Sequence, residues 1–155
     1  MAEKSERVYA TNRKAFHDYF VLETVEAGMA LTGTEVKSVR EGKVNLRESF
    51  ARLKDGEVWL HNSYIATYDQ GNRYNHETNR PRKLLLHKRE IARLATESRD
   101  SGRTLIPIRV YDRKGQIKLE LALARGKKQY DKRESIADRE ASRTIERALK
   151  EAVRQ

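Results

Sequence analysis

The stretch Gln116-Ile-Lys-Leu-Glu-Leu-Ala-Leu-Ala-Arg125 decides the fold. Aliphatic side chains occupy every second position, and between them stand Lys118, Glu120, Ala122 and Ala124. Because successive side chains of a strand point to opposite faces, this strict alternation predicts a β-strand with one buried face. The turn-forming residues 112–115 precede it, and before them Ile106, Ile108 and Val110 also alternate. The pattern therefore predicts two neighbouring strands joined by a short turn.

Further strands are predicted on both sides of local turn signals. Residues 48–68 contain two apolar-rich runs around Lys54-Asp55-Gly56-Glu57, which is typical of a hairpin. Residues 19–31 are predicted to form another hairpin that turns at Glu26-Ala27-Gly28. Two helices are expected between the strands. One follows Thr32 and Glu35, which have capping-box spacing, and the other covers residues 87–98.

These elements together predict a mainly β fold, an OB-like antiparallel barrel with short helices. The chain changes character near Gly126, so we expect a barrel domain over residues 1–125 and a basic tail over residues 126–155. The tail has little aliphatic surface but high helix propensity. On a helical wheel its cations fall within an arc of about 80°. The ridge consists of Arg139, Arg143, Arg147, Lys150 and Arg154.

Composition limits the function classes. The chain has 155 residues, no cysteine and a formal net charge of +10, which excludes disulfides and favours polyanionic partners. Its apolar runs are shorter than the roughly 18 residues that a membrane span needs, and its N-terminus is polar. We therefore expect a soluble cytoplasmic protein without a membrane partner.

Catalytic and metal-binding patterns are not found in the sequence. The four histidines are scattered, without the spacing of a zinc site, and the glycines form no phosphate loop. A metal-free ribonuclease built from His87, Arg89 and Glu90 is an alternative that rests only on the proximity of these residues in the sequence. We expect no enzyme, no cofactor and no bound metal.

Clustered cations indicate nucleic-acid binding instead. Residues 80–89 place five cations around Leu84-Leu85-Leu86, and Lys83, Leu85 and Lys88 are candidate RNA contacts. A second cluster contains Asn12 and Arg13, beside Phe16 and Tyr19, which either stack on bases or belong to the core. A third spans the start of the tail: Gly126, Lys127, Lys128, Tyr130, Asp131, Lys132 and Arg133.

The chain resembles the small protein B family of bacteria over residues 12–151. The segments that carry the resemblance are residues 12–20, 26–28, 31–38, 80–90, 123–128 and 130–133. The resemblance implies a six-stranded OB-like barrel with a tail that is disordered in solution. It also implies RNA-binding roles for Asn12, Glu26 and Leu85, to which charge adds Lys83 and Lys88.

The family resemblance further implies a role in ribosome rescue. The barrel would bind the tRNA-like domain of transfer-messenger RNA and, with elongation factor Tu, deliver it to the vacant A site. The tail, from Gly126 through the ridge that includes Arg139, Arg143 and Arg147, would probe the decoding centre and the empty messenger channel. A general single-stranded RNA-binding OB protein or RNA chaperone is the alternative, but it should show an aromatic platform on its strands.

Overall fold

A computed structural model of the chain describes residues 7–68, 75–99 and 102–127. Within these ranges there are nine strands and three helices. The strands are β1 (Arg7–Thr11), β2 (Tyr19–Met29), β3 (Val44–Asn45), β4 (Phe50–Lys54), β5 (Glu57–His61), β6 (Tyr64–Ile65), β7 (Arg82–Leu85), β8 (Arg103–Arg113) and β9 (Gln116–Gly126). The helices are α1 (Arg13–Asp18), α2 (Gly33–Arg40) and α3 (Lys88–Glu97).

Six of the strands close into a ring, in the order β8-β4-β5-β7-β2-β9, with β9 pairing back onto β8. All these pairings are antiparallel, which confirms the predicted six-stranded barrel. β1 joins the free part of β8 outside the ring, and β3 and β6 form a separate two-stranded sheet.

The two predicted tight turns join β4 to β5 and β8 to β9. Asp55 and Gly56 have φ angles of 53° and 76°, and Lys114 and Gly115 have 52° and 81°. Positive φ at both central residues suits the right-handed twist of the flanking strands, so these sequences favour hairpins.

The predicted hairpin at Glu26-Ala27-Gly28 is wrong, because β2 runs through these residues as one strand of 11 residues. Gly28 fits there through its missing side chain, not through a turn. A Cβ atom on Gly28 would lie 3.3 Å from the Cβ of Leu85 on the neighbouring strand β7. A glycine inside a strand can mark the close approach of another chain segment as well as a bend.

Strand β9, whose alternation predicts one buried face, is buried on both faces over its second half. Leu119, Leu121 and Leu123 lie in the main core inside the barrel, as the alternation predicts. Ala122 and Ala124, expected on the open face, are fully buried in a second cluster under α1. The small side chains of these alanines leave room for α1, which sequence analysis did not predict and whose Ala15 packs there.

The two predicted helices are confirmed. Thr32 and Glu35 form the capping box of α2, in which the Glu35 carboxylate accepts from Thr32 N and the Thr32 hydroxyl accepts from Glu35 N. α3 packs Leu94 into the core and ends just before Ser98. Among the helices of the described residues, none is both long and apolar enough to cross a bilayer.

Candidate RNA interface

Leu85 is an exposed apolar side chain in the centre of the candidate interface. It is 50% exposed at the end of β7, whereas Leu84 beside it is buried in the core. The alternation of the strand therefore divides the Leu84-Leu85-Leu86 run between core and surface. A shallow groove of about 400 Å³ lies beside it, lined by Glu26, Gly28, Leu85, Leu86, His87, Glu90 and Lys118.

Glu26 lies in the same groove, so the structure brings two predicted RNA contacts, Glu26 and Leu85, together. Its carboxylate accepts a short hydrogen bond from the Tyr111 hydroxyl and contacts Arg113 Nη1 at 3.1 Å. Burial of the Tyr111 hydroxyl, reinforced by its bond to Glu26, raises the pKa of Tyr111. The hydroxyl therefore remains a donor throughout the physiological pH range.

Two of the five cations around Leu84-Leu85-Leu86, Arg80 and Arg82, bind the buried carboxylate of Glu35. Arg82 is fully buried, and its Nε donates to Glu35 at 2.7 Å while Nη1 donates to the backbone and hydroxyl of Ser63. Arg80 binds the same carboxylate through Nε and Nη2 at 2.9 and 2.6 Å. The expectation that the charged flanks as a group grip phosphates is therefore wrong for Arg82, while Arg80 is partly exposed and already pairs with Glu35.

The carboxylate of Glu35 is charged in this setting. Burial by itself would raise the pKa of Glu35, but hydrogen bonds from Arg80, Thr32 N and Arg82 outweigh it and hold the pKa below its usual range. Burial in turn lowers the pKa of Arg82, against the opposing effect of Glu35. This cluster ties α2 to β7 at the strand that presents Leu85.

The remaining cations of this segment are on the surface. Lys83 is half-exposed and forms an ion pair with Glu57 at 2.5 Å, so a phosphate would have to compete with that carboxylate. Lys88 and Arg89 are exposed in the first turn of α3. Lys88 therefore remains the candidate phosphate contact beside the groove.

Asn12 and Arg13 lie outside the Leu85 groove. Asn12 is buried, its Nδ2 donates to Pro107 O at 2.9 Å, and its backbone N donates to Ile108 O at 2.6 Å. Arg13 is exposed at the start of α1. Both residues line a different, smaller depression of about 290 Å³ together with Thr11, Lys14, Asn45 and Arg47. Asn12 thus holds the entry to α1 against β8.

The aromatic residues beside this cluster behave differently from each other. Phe16 is 52% exposed on α1 because Ala15 takes the buried position of that helix, so Phe16 does not belong to the core. Tyr19 is half-buried and packs on the second core cluster, as expected. Phe50 and His61 stack at 5.4 Å, with Arg52 above the Phe50 ring.

The start of the predicted tail is anchored to the barrel. Gly126 is the last residue of β9, and its N donates to Gly102 O at 3.1 Å. Lys127 N donates to Asp18 O at 2.7 Å, and its Nζ lies 4.6 Å from the centre of the Phe20 ring, which Arg125 also contacts. The other predicted tail residues lie outside the described residues: Lys128, Tyr130, Asp131, Lys132, Arg133, Arg139, Arg143 and Arg147.

Tyr111 and Phe20 are parts of the site that were not predicted from the sequence. A signal for Tyr111 was present, since Arg109, Tyr111 and Arg113 alternate along β8 and share one face. The contact of Phe20 with Arg125 and Lys127 depends on the β2–β9 register, which one strand alone does not reveal.

The contacts of His76 and His87 differ in kind, because His87 contributes its backbone and His76 its ring. Glu90 Oε1 accepts from His87 N at 3.0 Å in the helix cap of α3, which accounts for the proximity behind the ribonuclease alternative. His76 contacts Thr34 Oγ1 and Ile65 O. Over residues 7–68, 75–99 and 102–127 the structure contains no group of acidic and histidine side chains arranged to hold a metal.

Comparison with known proteins identifies the family of this barrel. The family model described as SmpB protein matches residues 9–151. The chain belongs to the SmpB family. Two curated SmpB relatives described as SsrA-binding protein are 59% identical to it. That of Carboxydothermus hydrogenoformans aligns over 94% of this chain and 97% of the relative, and that of Desulforudis audaxviator over 97% and 98%.

A solved SmpB chain has the same fold. It comes from work described as "tmRNA-SmpB: a journey to the center of the bacterial ribosome", is 50% identical and has a TM-score of 0.68. The match covers 82% of this chain and 93% of the solved one.

Proposed function

We propose that this chain binds the tRNA-like domain of transfer-messenger RNA and delivers it to the A site of stalled ribosomes for trans-translation. The observation that carries the proposal is membership of the SmpB family, with relatives described as SsrA-binding protein matched over nearly their full length. SsrA RNA is transfer-messenger RNA, so the RNA partner follows from the relatives' description.

The Leu85 groove supports a specific RNA contact over general attraction to polyanions. An exposed leucine beside a carboxylate does not attract a phosphate. It can instead bind a base or ribose that packs on the leucine side chain. Lys88 and Lys83 next to it supply the charge that phosphates require. Asn12 and Arg13, on a separate depression, are proposed as a second part of the interface.

The tail is proposed to act in the small subunit of the ribosome. Its proposed contacts are Gly126, Lys127, Lys128, Tyr130, Asp131, Lys132 and Arg133 in the decoding centre and Arg139, Arg143 and Arg147 along the messenger channel. A helix with its cations on one side suits a channel walled by RNA. Support comes from the sequence and from the anchored start of the tail at Lys127.

The finer parts of this function are also proposals. Elongation factor Tu would accompany the complex, because the tRNA-like domain enters the A site as a transfer RNA does. The protein would act by binding alone, without catalysis, and would work in the cytoplasm, where the ribosomes are.

Sequencing the RNA that co-purifies with the protein tests the proposal. Transfer-messenger RNA should be the enriched species, and its binding should fall steeply with salt while retaining a salt-resistant share. A broad mixture of RNAs would instead favour the general RNA-binding alternative. The stacked Phe50–His61 pair with Arg52 is the feature of the barrel that fits that alternative.

A further inference from the structure

Glu26 is an acidic side chain in an interface proposed to bind a polyanion. The strand register places it directly opposite Glu120 on β9, and like charges in that position destabilise a sheet. Each carboxylate is offset by an arginine of β8: Arg109 Nε contacts Glu120 at 2.8 Å, and Arg113 Nη1 contacts Glu26 at 3.1 Å. The acid at position 26 is therefore supported by its neighbours.

Tyr111 adds a fixed contact to this arrangement. It pairs with Lys118 on β9, two residues along that strand from Glu120, the partner of Glu26, and it is only 3% exposed. The guanidinium of Arg109 lies 4.2 Å from the centre of its ring and covers it. A buried ring has little rotational freedom, so its hydroxyl holds one position, and the hydroxyl donates to Glu26.

Both contacts of Glu26 fall on the same oxygen. The Tyr111 hydroxyl and Arg113 Nη1 both bind Oε1 of Glu26. Glu26 is about one-third exposed, and it lines the groove beside Leu85. A carboxylate held through one oxygen can offer the other to a ligand in a fixed direction.

We propose that Tyr111 is a positioning residue for RNA recognition, which fixes the Glu26 carboxylate through Oε1 so that Oε2 accepts a hydrogen bond from the RNA. The donor on the RNA must be a neutral N–H or O–H group. An ionised phosphate diester has no proton to donate, and its charge would repel the carboxylate. RNA offers such donors on base edges and on ribose 2′-hydroxyls. This inference rests on the proposed binding of transfer-messenger RNA, and it assigns Tyr111 a role through Glu26 only.

A double-mutant cycle tests the proposal, with the dissociation constant for the tRNA-like domain of transfer-messenger RNA as the readout. Tyr111→Phe should weaken binding about five- to tenfold in the otherwise unchanged protein, since it releases the carboxylate. In the Glu26→Gln background the same change should alter binding less than about twofold. An equal loss in both backgrounds, or no loss in the first, overturns the proposal. If the unchanged protein fails to bind this RNA at all, it is the proposed function that fails.

Two further variants separate positioning from stability. Tyr9→Phe is the matched control, because its hydroxyl accepts from Arg40 at 3.4 Å, away from Glu26, and its removal should leave the dissociation constant unchanged. Placing 4-aminophenylalanine at position 111 restores a donor, so binding should return to within about twofold of the unchanged protein. A variant that regains the donor but not the binding contradicts the positioning role, even if Tyr111→Phe itself folds poorly.

The source of the RNA donor is resolved in a separate arm with RNA that carries 2′-deoxyribose in the loops of the domain. If Glu26→Gln weakens binding of normal RNA but not of the deoxy RNA, the donor is a ribose hydroxyl. If it weakens both equally, the donor is a base N–H. A Glu26→Gln change without effect on either RNA overturns the proposal.

Discussion

Removing the Glu35 carboxylate tests whether the cations at positions 80 and 82 hold the barrel together. Glu35→Ala leaves Arg82, which is fully buried, with its bonds to Ser63 and to the carbonyls of Glu77 and Thr78 but without an opposite charge. Breaking a buried pair in this way costs about 3–5 kcal/mol. For a chain of this size that loss lowers Tm by roughly 6–20 °C.

Urea and thermal unfolding monitored by circular dichroism measure the effect. The matched control is Glu41→Ala, which removes an exposed pair with Lys43 at 3.3 Å and should cost less than about 1 kcal/mol. RNA affinity, measured at a temperature where both variants are folded, should be nearly unchanged. Equal destabilisation by the two substitutions would refute the reasoning, and so would a folded Glu35→Ala protein that has lost RNA binding.

The pH dependence has a defined sign. Because the pKa of folded Glu35 lies below its ordinary value of 4.5, its charge stabilises the folded state above that pH. The contribution is lost as the pH falls below 4.5 through the folded pKa. The stability gap between the unchanged protein and Glu35→Gln should therefore be full at neutral pH and shrink only in acid.

The remaining predictions concern the RNA interface and the tail. Leu85→Asp should weaken binding of transfer-messenger RNA more than Lys88→Ala, because one phosphate contact is a modest share of the total; equal losses in affinity measurements would argue against an apolar contact. Truncation after Lys127 should leave folding and RNA binding nearly intact, since the backbone contacts of Gly126 and Lys127 that secure the end of β9 are kept. It should abolish tagging, the step of trans-translation in which the unfinished protein receives the peptide that transfer-messenger RNA encodes. Replacing both Arg143 and Arg147 with glutamate should stop tagging in a reconstituted translation assay while RNA binding persists. The same reversals at Lys4 and Arg7, before the matched residues 9–151, should change little, and normal tagging by the first variant would contradict a role for the ridge.

Sequence reasoning succeeded where the determining contacts are local. The turns at 54–57 and 112–115 and the capping box of Thr32 and Glu35 are set by neighbouring residues, so their patterns predict them correctly. α1 was missed because its six residues are too few to show a helical period, and one alanine makes its main core contact.

Sequence reasoning failed where a distant residue decides the outcome. Gly28 looks like a turn residue until Leu85 is placed beside it. The cations at positions 80–89 cannot be distinguished by sequence, and only the position of Glu35 on another element shows that Arg80 and Arg82 bind its carboxylate. For the same reason Glu26 and Leu85 could be placed in one groove only after the β2–β7 register was known.

The ring of six strands is held at two places by very little pairing. β4 meets β8 in register only at Ala51 and Leu105, and β2 meets β7 only through Gly28 and Met29. By contrast, β8, β9 and β2 pair along most of their lengths. The barrel therefore consists of two three-stranded halves, β8-β9-β2 and β4-β5-β7, joined by two short pairings. One of these short pairings, between β2 and β7, includes Leu85. RNA bound across it would contact both halves of the barrel at once, so the RNA would stabilise the closed barrel against opening there, by an amount that grows with RNA concentration.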